Sequence, residues 1–333
     1  RGDHDQGDDK TSKRNDSGML IRDNVYGDVE QDAIRRDFTI NALYYTTEDF
    51  SVRDYVGGVR DLDEGVVRII GDAETRYRED PVRMIRAIRF AAKLQFKIEK
   101  KTAAAIHTCR PLLTDVSSAR MFEEVNKLFI SGYGERTFDL MREYKLFELL
   151  FPDTEALIKN DPVAETFIRI TLRNTDSRVH ADKPVTPAFL YASLLWPSFK
   201  AKVDANKGMP IFEAIRIASN ETFDEQIRHT AIPRRFSAII RDIWEAQWRL
   251  PNRAGKRAAV LMEQRVFRAA YDFLINREAA GEDLLGLGKW WTRYQSASAE
   301  QREEMSNRID PPKRKRKRSP RRKPSNRKPK QGE

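Results

Sequence analysis

The apolar pattern of this chain changes period at Gly71, and that change limits what it can fold into. Before it, residues 40–45, 52–55 and 66–70 are short β-branched or aromatic runs separated by Gly-containing turns, and each reads as a strand. Beyond it, apolar residues recur at helical spacing through 102–110, 121–131, 136–144, 239–249 and 258–276. Pro152, the Asp161-Pro162 pair and Pro184, Pro187, Pro197 and Pro210 punctuate the helical stretch. Asp28 to Gln31 has the form of a capping box and introduces a short helix through Ala33 and Ile34. The pattern predicts a mostly α protein with a small α/β portion near its start. Trp244 and Trp248, spaced i, i+4, read as core, with base stacking as the alternative, and Trp290 and Trp291 close the folded part.

Charge is distributed unevenly. The chain carries 61 Lys and Arg against 51 Asp and Glu, yet twelve of the basic residues fall between Pro311 and Lys330, where there is no acid. Without them 49 basic residues face 51 acidic ones, so the body is nearly neutral. The run Lys313, Arg314, Lys315, Arg316, Lys317, Arg318, followed by Arg321, Arg322 and Lys323, cannot bury apolar area and reads as a disordered tail. Its use would be to attract a polyanion through phosphate contacts and counterion release. A solubilising tail and an anionic membrane surface are the other readings.

Cys109 is alone and there are four histidines, which excludes an internal disulfide and a Cys/His metal cluster. Cys109 reads as core packing. No apolar run approaches the roughly eighteen residues that span a bilayer, and no signal-peptide pattern opens the chain. The expected location is cytoplasmic.

Residues 79–90, Glu-Asp-Pro-Val-Arg-Met-Ile-Arg-Ala-Ile-Arg-Phe, form the most informative stretch. At roughly 100° per residue, Met84, Ile85, Ile88, Ala91 and Ala92 fall on one face, with Arg83 and Arg86 almost opposite. Asp80 before Pro81 suits an N-cap followed by proline in the first turn. A carboxylate and guanidinium forks gathered at one helix end can match a base edge and meet phosphates. The same spacing also suits an amphipathic helix with a solvated arginine face.

Residues 35–41, Arg-Arg-Asp-Phe-Thr-Ile-Asn, precede that stretch by about forty positions. Together RRDFTIN and EDPVRMIRAIRF resemble two signature motifs of the class II nucleotidyltransferases, comprising bacterial poly(A) polymerases and tRNA CCA-adding enzymes. Residues 118–124, Ser-Ala-Arg-Met-Phe-Glu-Glu, resemble the family's helical motif of an arginine followed four residues later by a glutamate. The segments around DNVYGDVEQDAIRRDFTINALYY, VRDYVGGVRDLDEGVVRIIGD, ETRYREDPVRMIRAIRFAAKL, GYGERTFDLMREYKLFELLFP and the late KWW resemble the poly(A) polymerase I branch of that family.

The resemblance implies a remnant of a nucleotidyltransferase palm over 1–70, with 1–18 as a mobile loop. It then implies a nucleotide-selecting helical neck over 71–150, an RNA-binding helical body over 151–309 and the basic tail over 310–333. Arg36 and Asp37 match positions near the sugar of the incoming nucleotide; Glu79, Asp80 and Arg83 match those facing its base, and Arg86 those assisting its phosphates. Asn41 matches a turn-fixing position, and Arg120 with Glu124 a supporting ion pair. The implied activity is template-independent addition of AMP from ATP to RNA 3′ ends with release of pyrophosphate. Mg²⁺ is implied too, held by carboxylates that the family places upstream of the first residue here, so the chain reads as N-terminally truncated and inactive alone. Gly57-Gly-Val-Arg-Asp-Leu-Asp63 imitates the metal-binding signature, but its register makes Asp61 and Asp63 solvated or capping residues. Implied partners are RNA 3′ ends and, through the tail, RNA-decay proteins. Two alternatives stay open: a CCA-adding enzyme, which shares the base-reading motif, and a non-catalytic RNA-binding protein.

Overall fold

The computed structural model describes residues 28–309 together with the strand residues 13–14 and 20–22. The cationic run from Lys313 to Lys323 lies outside the described residues. Two short strands, β1 (Lys13–Arg14) and β2 (Leu20–Arg22), pair antiparallel, so part of the segment read as a loop is a strand.

Helix α1 (Val29–Arg35) starts where the Asp28 carboxylate accepts from the Gln31 amide at 2.8 Å. A 3₁₀ turn (Thr39–Asn41) follows, then β3 (Leu43–Tyr45) antiparallel to β4 (Val52–Asp54). Helix α2 (Gly58–Asp63) leads into β5 (Val66–Val67), which pairs in parallel with β6 (Lys97–Ile98). The strands read from sequence are therefore shorter than their apolar runs. Ile40 belongs to the 3₁₀ turn, and Ile69 makes an isolated bridge to Phe38.

Helices α3 (Ala73–Glu79) and α4 (Val82–Leu94) meet at an elbow formed by Asp80 and Pro81. A residue before proline is pushed out of the helical region, and Asp80 is extended at φ −147°, ψ 98°. Its Oδ1 accepts from the Val82 amide at 3.2 Å, while Pro81 rather than Asp80 holds the N-cap position of α4. The elbow turns α3 back over the polar side of α4. That side is covered rather than solvated, and Arg83 is only 9% exposed, which corrects the expectation of an open arginine face. The dry side holds: Met84, Ile85, Ile88, Ala91 and Ala92 are buried, as are Val82 and Ala87.

Helices α5 (Lys100–Cys109), α6 (Ser118–Phe129) and α7 (Gly134–Glu143) follow, with α6 and α7 packed on α4 and α5 on α3. Cys109 is buried, as expected. Next come α8 (Phe147–Leu150), α9 (Pro152–Ile158), α10 (Pro162–His180), α11 (Pro187–Leu194), α12 (Trp196–Ala205), α13 (Ile211–Gln226) and α14 (Arg234–Arg249). The prolines of α9 to α12 sit in first turns, where a missing N–H costs nothing. One apolar cluster runs from Phe38 through α4 to Trp244, crossing position 150 through the stacked rings of Phe147 and Phe151.

The run 258–276 is two helices, α15 (Arg257–Met262) and α16 (Phe267–Ala279). The break lets Ala258 and Leu261 share a second core with Phe267, Leu274 and Trp291, which a straight helix would turn apart. α17 (Leu287–Ser296) and α18 (Ala299–Asn307) complete the chain as described. Trp244 and Trp291 are core, their indole N–H groups donating to the carbonyls of Ala192 and Leu250 at 2.9 and 3.1 Å. Among the described residues no helix is long and apolar enough to cross a membrane.

Candidate nucleotide site

The ends of α1, α3 and α4 converge on a cleft of about 550 Å³ lined by Arg36, Asp37, Asn41, Asp80, Arg83, Arg86 and Phe90. Residues more than forty positions apart thus meet in one concave surface, and its lining is mainly charged. Asp37 follows the last turn of α1. Its Oδ1 accepts from the Phe38 amide at 2.9 Å and from Asn41 Nδ2 at 3.1 Å, and its Oδ2 from Arg86 Nε at 2.7 Å. Asn41 therefore orients a carboxylate as well as sitting in the turn expected for it.

Arg36 is braced from the opposite side. Its Nε and Nη2 donate to Asp32 Oδ2 at 3.2 and 2.9 Å, and its guanidinium lies 5.7 Å from the centre of the Tyr44 ring. Tyr44 donates its hydroxyl to the same carboxylate oxygen at 2.5 Å. The hydrogen bonds from Tyr44 and Arg36 hold the Asp32 carboxyl below the usual carboxylate range, and that bond to Asp32 raises Arg36 in turn.

Arg83 forms the inner wall, backed by Glu79. Arg83 Nη1 donates to Glu79 Oε2 at 3.1 Å and to the Arg76 carbonyl at 2.9 Å. Glu79 lies buried behind Arg83, off the cleft surface, and also accepts from Arg76 Nη1 at 3.0 Å. Arg76 Nη2 reaches the carbonyls of Arg35 and Arg36 at 2.8 and 2.7 Å, tying α3 to the end of α1. Burial and the neighbouring Arg83 charge depress the Arg76 pKa.

The expected Arg120–Glu124 ion pair is not formed. Arg120 Nη2 instead donates to Asp80 Oδ2 at 2.8 Å, while buried Glu124 accepts from Lys127 Nζ at 2.8 Å. The i, i+4 spacing allows the pair, but the elbow presents Asp80 to Arg120 across the helix interface. Arg120 braces Asp80 of the cleft from outside its lining.

Asp61 also differs from expectation. It is 2% exposed, not solvated. It accepts from Thr39 Oγ1 at 2.6 Å and from Arg68 Nε at 3.0 Å. Asp63 is exposed, and among the described residues no group of three or more His, Cys, Asp or Glu suits a metal ion. The Gly-Gly string is structural: a Cβ on Gly58 would stand 2.3 Å from the Thr39 carbonyl oxygen.

Sequence reading missed Phe90, Arg76, Asp32 and Tyr44. Phe90 carried a signal, because Arg86 lies at i, i+4 from it on the helix, and the Arg86 and Arg89 guanidiniums stand 5.9 and 5.0 Å from its ring centre. Arg76 carried none, since an arginine that binds carbonyls distant in sequence leaves no local pattern.

Three family models match successive parts of the chain. They are described as the poly A polymerase head domain (residues 1–68), the probable RNA and SrmB-binding site of polymerase A (95–158) and the polymerase A arginine-rich C-terminus (207–323). Poly(A) polymerase I of Escherichia coli O6:H1 is 48% identical over 320 residues, covering 93% of this chain and 69% of the relative. That of Salmonella typhi is 46% identical, covering 92% and 67%. A CCA-adding enzyme of Pediococcus pentosaceus is 41% identical over only 120 residues, 36% of this chain and 30% of its own length. In fold the chain resembles the Thermotoga maritima CCA-adding enzyme complexed with tRNA, with a TM-score of 0.56, 22% identity and coverage of 81% of this chain and 61% of that one. Likeness to CCA-adding enzymes is thus partial in sequence, whereas likeness to poly(A) polymerase I runs nearly from end to end, and the chain belongs to the poly(A) polymerase I family.

Proposed function

We propose that the cleft binds ATP and selects it for addition of AMP to RNA 3′ ends, with release of pyrophosphate. The observation that carries this reading is the convergence of both motif segments on one cleft: Arg36, Asp37, Asp80, Arg83 and Arg86 line a single surface. In this reading Asp80 and Arg83 face the base. A carboxylate accepts from an exocyclic amine and a guanidinium donates to ring acceptors, so the pair suits adenine and opposes the reversed edge of guanine. Glu79 and Arg76 hold Arg83 from behind, Arg36 and Asp37 face the sugar, and Arg86 meets phosphate.

Mg²⁺ belongs to the chemistry that the family implies, but the described residues do not fit it. Asp61 is engaged by Thr39 and Arg68, and no group of three or more His, Cys, Asp or Glu gathers among them. We therefore assign these residues nucleotide binding and selection, and no metal-dependent step. The helical body and the basic tail from Lys313 to Lys323 would hold RNA, and the 95–158 segment, named in its family model for RNA and SrmB, is where an RNA-decay protein would dock.

The test is a calorimetric titration of the chain with ATP, CTP and GTP, followed by incubation with an RNA primer, Mg²⁺ and each nucleotide. ATP should bind in preference to the other two, and the chain alone should leave the primer unextended. Equal binding of the nucleotides would overturn the selection reading. Poly(A) synthesis would overturn the expected inactivity, and CTP addition to a tRNA lacking its CCA end would favour the CCA-adding alternative.

A further inference from the structure

We propose that the RNA strand leaves the nucleotide cleft across the first turns of α6 and lies on a cationic platform formed by Arg228, Arg234 and Arg235, an inference that rests on the polyadenylating reading of the cleft. The three arginines are exposed and make no ion pair among the described residues. Arg136, Arg216, Arg265 and Arg293 are exposed too, whereas other cations of the helical region are engaged by acids. Arg142 is paired with Glu155 and Glu165, Arg169 with Asp139 and Glu165, Lys202 with Asp153 and Glu225, and Arg277 with Glu282. Glu123, the exposed acid of the neighbouring face of α6, also forms no ion pair with the three arginines.

The platform is held rigidly, as a surface that positions a strand must be. The Ala231 amide donates to the Ser118 carbonyl at 2.9 Å, joining the loop before α14 to the start of α6. Thr230 is fully buried, and its hydroxyl accepts from Gln226 Nε2, which also donates to the Leu150 carbonyl, each at 2.8 Å. Phe236 stacks on Phe122 of α6 with ring centres 5.8 Å apart, and the Arg235 guanidinium stands 4.9 Å from the Phe236 ring centre.

The same turns of α6 touch the cleft. Arg120 lies between Ser118 and Phe122 and reaches Asp80. The path from cleft to platform is therefore about one helix diameter, roughly 10–12 Å. At about 3.4 Å per stacked nucleotide along a strand, that distance is roughly three nucleotides. Arg89 carries the cationic track on the cleft side: it is half-buried, makes no ion pair among the described residues and packs against Phe90. Burial and the adjacent Arg86 charge lower its pKa. Guanidiniums interleaved with aromatic rings suit phosphates and bases of a single strand, and continuity with the cleft favours RNA over an acidic protein.

The experiment uses the full chain and an oligoadenylate carrying a photoreactive base four nucleotides from its 3′ end. Crosslinks should map to residues 228–236. The double variant Arg234→Glu/Arg235→Glu should lower that crosslink about tenfold through loss of two phosphate contacts, with Arg234→Gln/Arg235→Gln intermediate. Labelling of the cleft by a photoreactive ATP analogue should be the same in both variants as in the parent. An unchanged crosslink in the variants would overturn the platform, and so would polyglutamate competing as well as oligoadenylate. Loss of ATP labelling in the parent chain would strike the nucleotide reading instead, while the RNA crosslink would still decide the platform.

Discussion

Arg120 of α6 donates to the Asp80 carboxylate at 2.8 Å, so a helix outside the cleft fixes the acid that stands at its mouth. Asp80 sits in an elbow rather than in a helix, and its side chain has few other constraints beyond the Val82 amide. The pair is partly exposed, which limits its contribution to overall stability. Its effect should appear in selection instead. Arg120→Ala is expected to reduce the preference for ATP over GTP about fivefold, roughly 1 kcal/mol, with little change in unfolding temperature. Calorimetric titration with the two nucleotides checks this, and an unchanged ratio would show that Asp80 is positioned without Arg120.

Glu79 accepts from both Arg76 and Arg83, so losing Glu79 and losing Arg83 are not equivalent for the fold. Arg83→Ala leaves Glu79 paired with Arg76 and should cost only about 1 kcal/mol of stability. The same variant should weaken ATP binding by about 1–3 kcal/mol, the usual loss of a charged hydrogen-bond partner. Glu79→Ala removes the counter-charge from two largely buried guanidiniums and should cost more, about 3–5 kcal/mol. Urea unfolding of both variants beside ATP titration tests the ordering. Equal destabilisation would mean that Arg76 does not hold Glu79 by itself.

These relationships mark what the sequence could and could not reveal. The dry face of α4 was legible because helical period places Met84, Ile85 and Ile88 together. The Asp80-Pro81 pair announced a break through proline's effect on the preceding residue. It did not announce that α3 folds back to bury Arg83, because the partners Arg76 and Glu79 lie across the break. The Arg120–Asp80 pair spans 40 residues, a contact that no local spacing encodes. The split between α15 and α16 was hidden for a related reason: the apolar period continues through it, and only the second core around Trp291 demands the turn. The register of the Gly57–Asp63 string suggests a solvated or capping Asp61 and says nothing of its partners Thr39 and Arg68, which come from two other segments.

Two adjacent glycines are required for different reasons, and the difference can be measured. Gly57 has φ +83°, a conformation that costs a side-chain-bearing residue roughly 1–2 kcal/mol. A Cβ there would meet nothing within 4 Å. Gly58 has ordinary helical geometry, but its Cβ would overlap the backbone oxygen of Thr39 at 2.3 Å. Backbone cannot rotate away as a side chain can, so Gly58→Ala should cost about 2–3 kcal/mol or more. Urea midpoints for the two alanine variants should place Gly58→Ala well below Gly57→Ala, and the reverse order would refute close approach of α2 to the 3₁₀ turn.

Asp54 gives the loop before α2 a pH dependence of definite sign. Burial pushes its carboxyl up, but the amides of Val59, Gly58, Val56 and Gly57 donate to it at 2.8–3.1 Å and hold it below the usual carboxylate range. Because the folded pKa lies below the unfolded one, the ionised carboxylate contributes its stability above the unfolded value. That contribution is lost as pH falls through the depressed folded value, and it is absent once both states are protonated. Asp54→Asn keeps the shape, removes the charge and should destabilise the protein at neutral pH. The difference in unfolding midpoint between the parent and Asp54→Asn should therefore shrink as pH is lowered toward roughly pH 3. A difference that stays constant across that range would mean that the four amides act only as neutral hydrogen-bond donors, with no preference for the charged form.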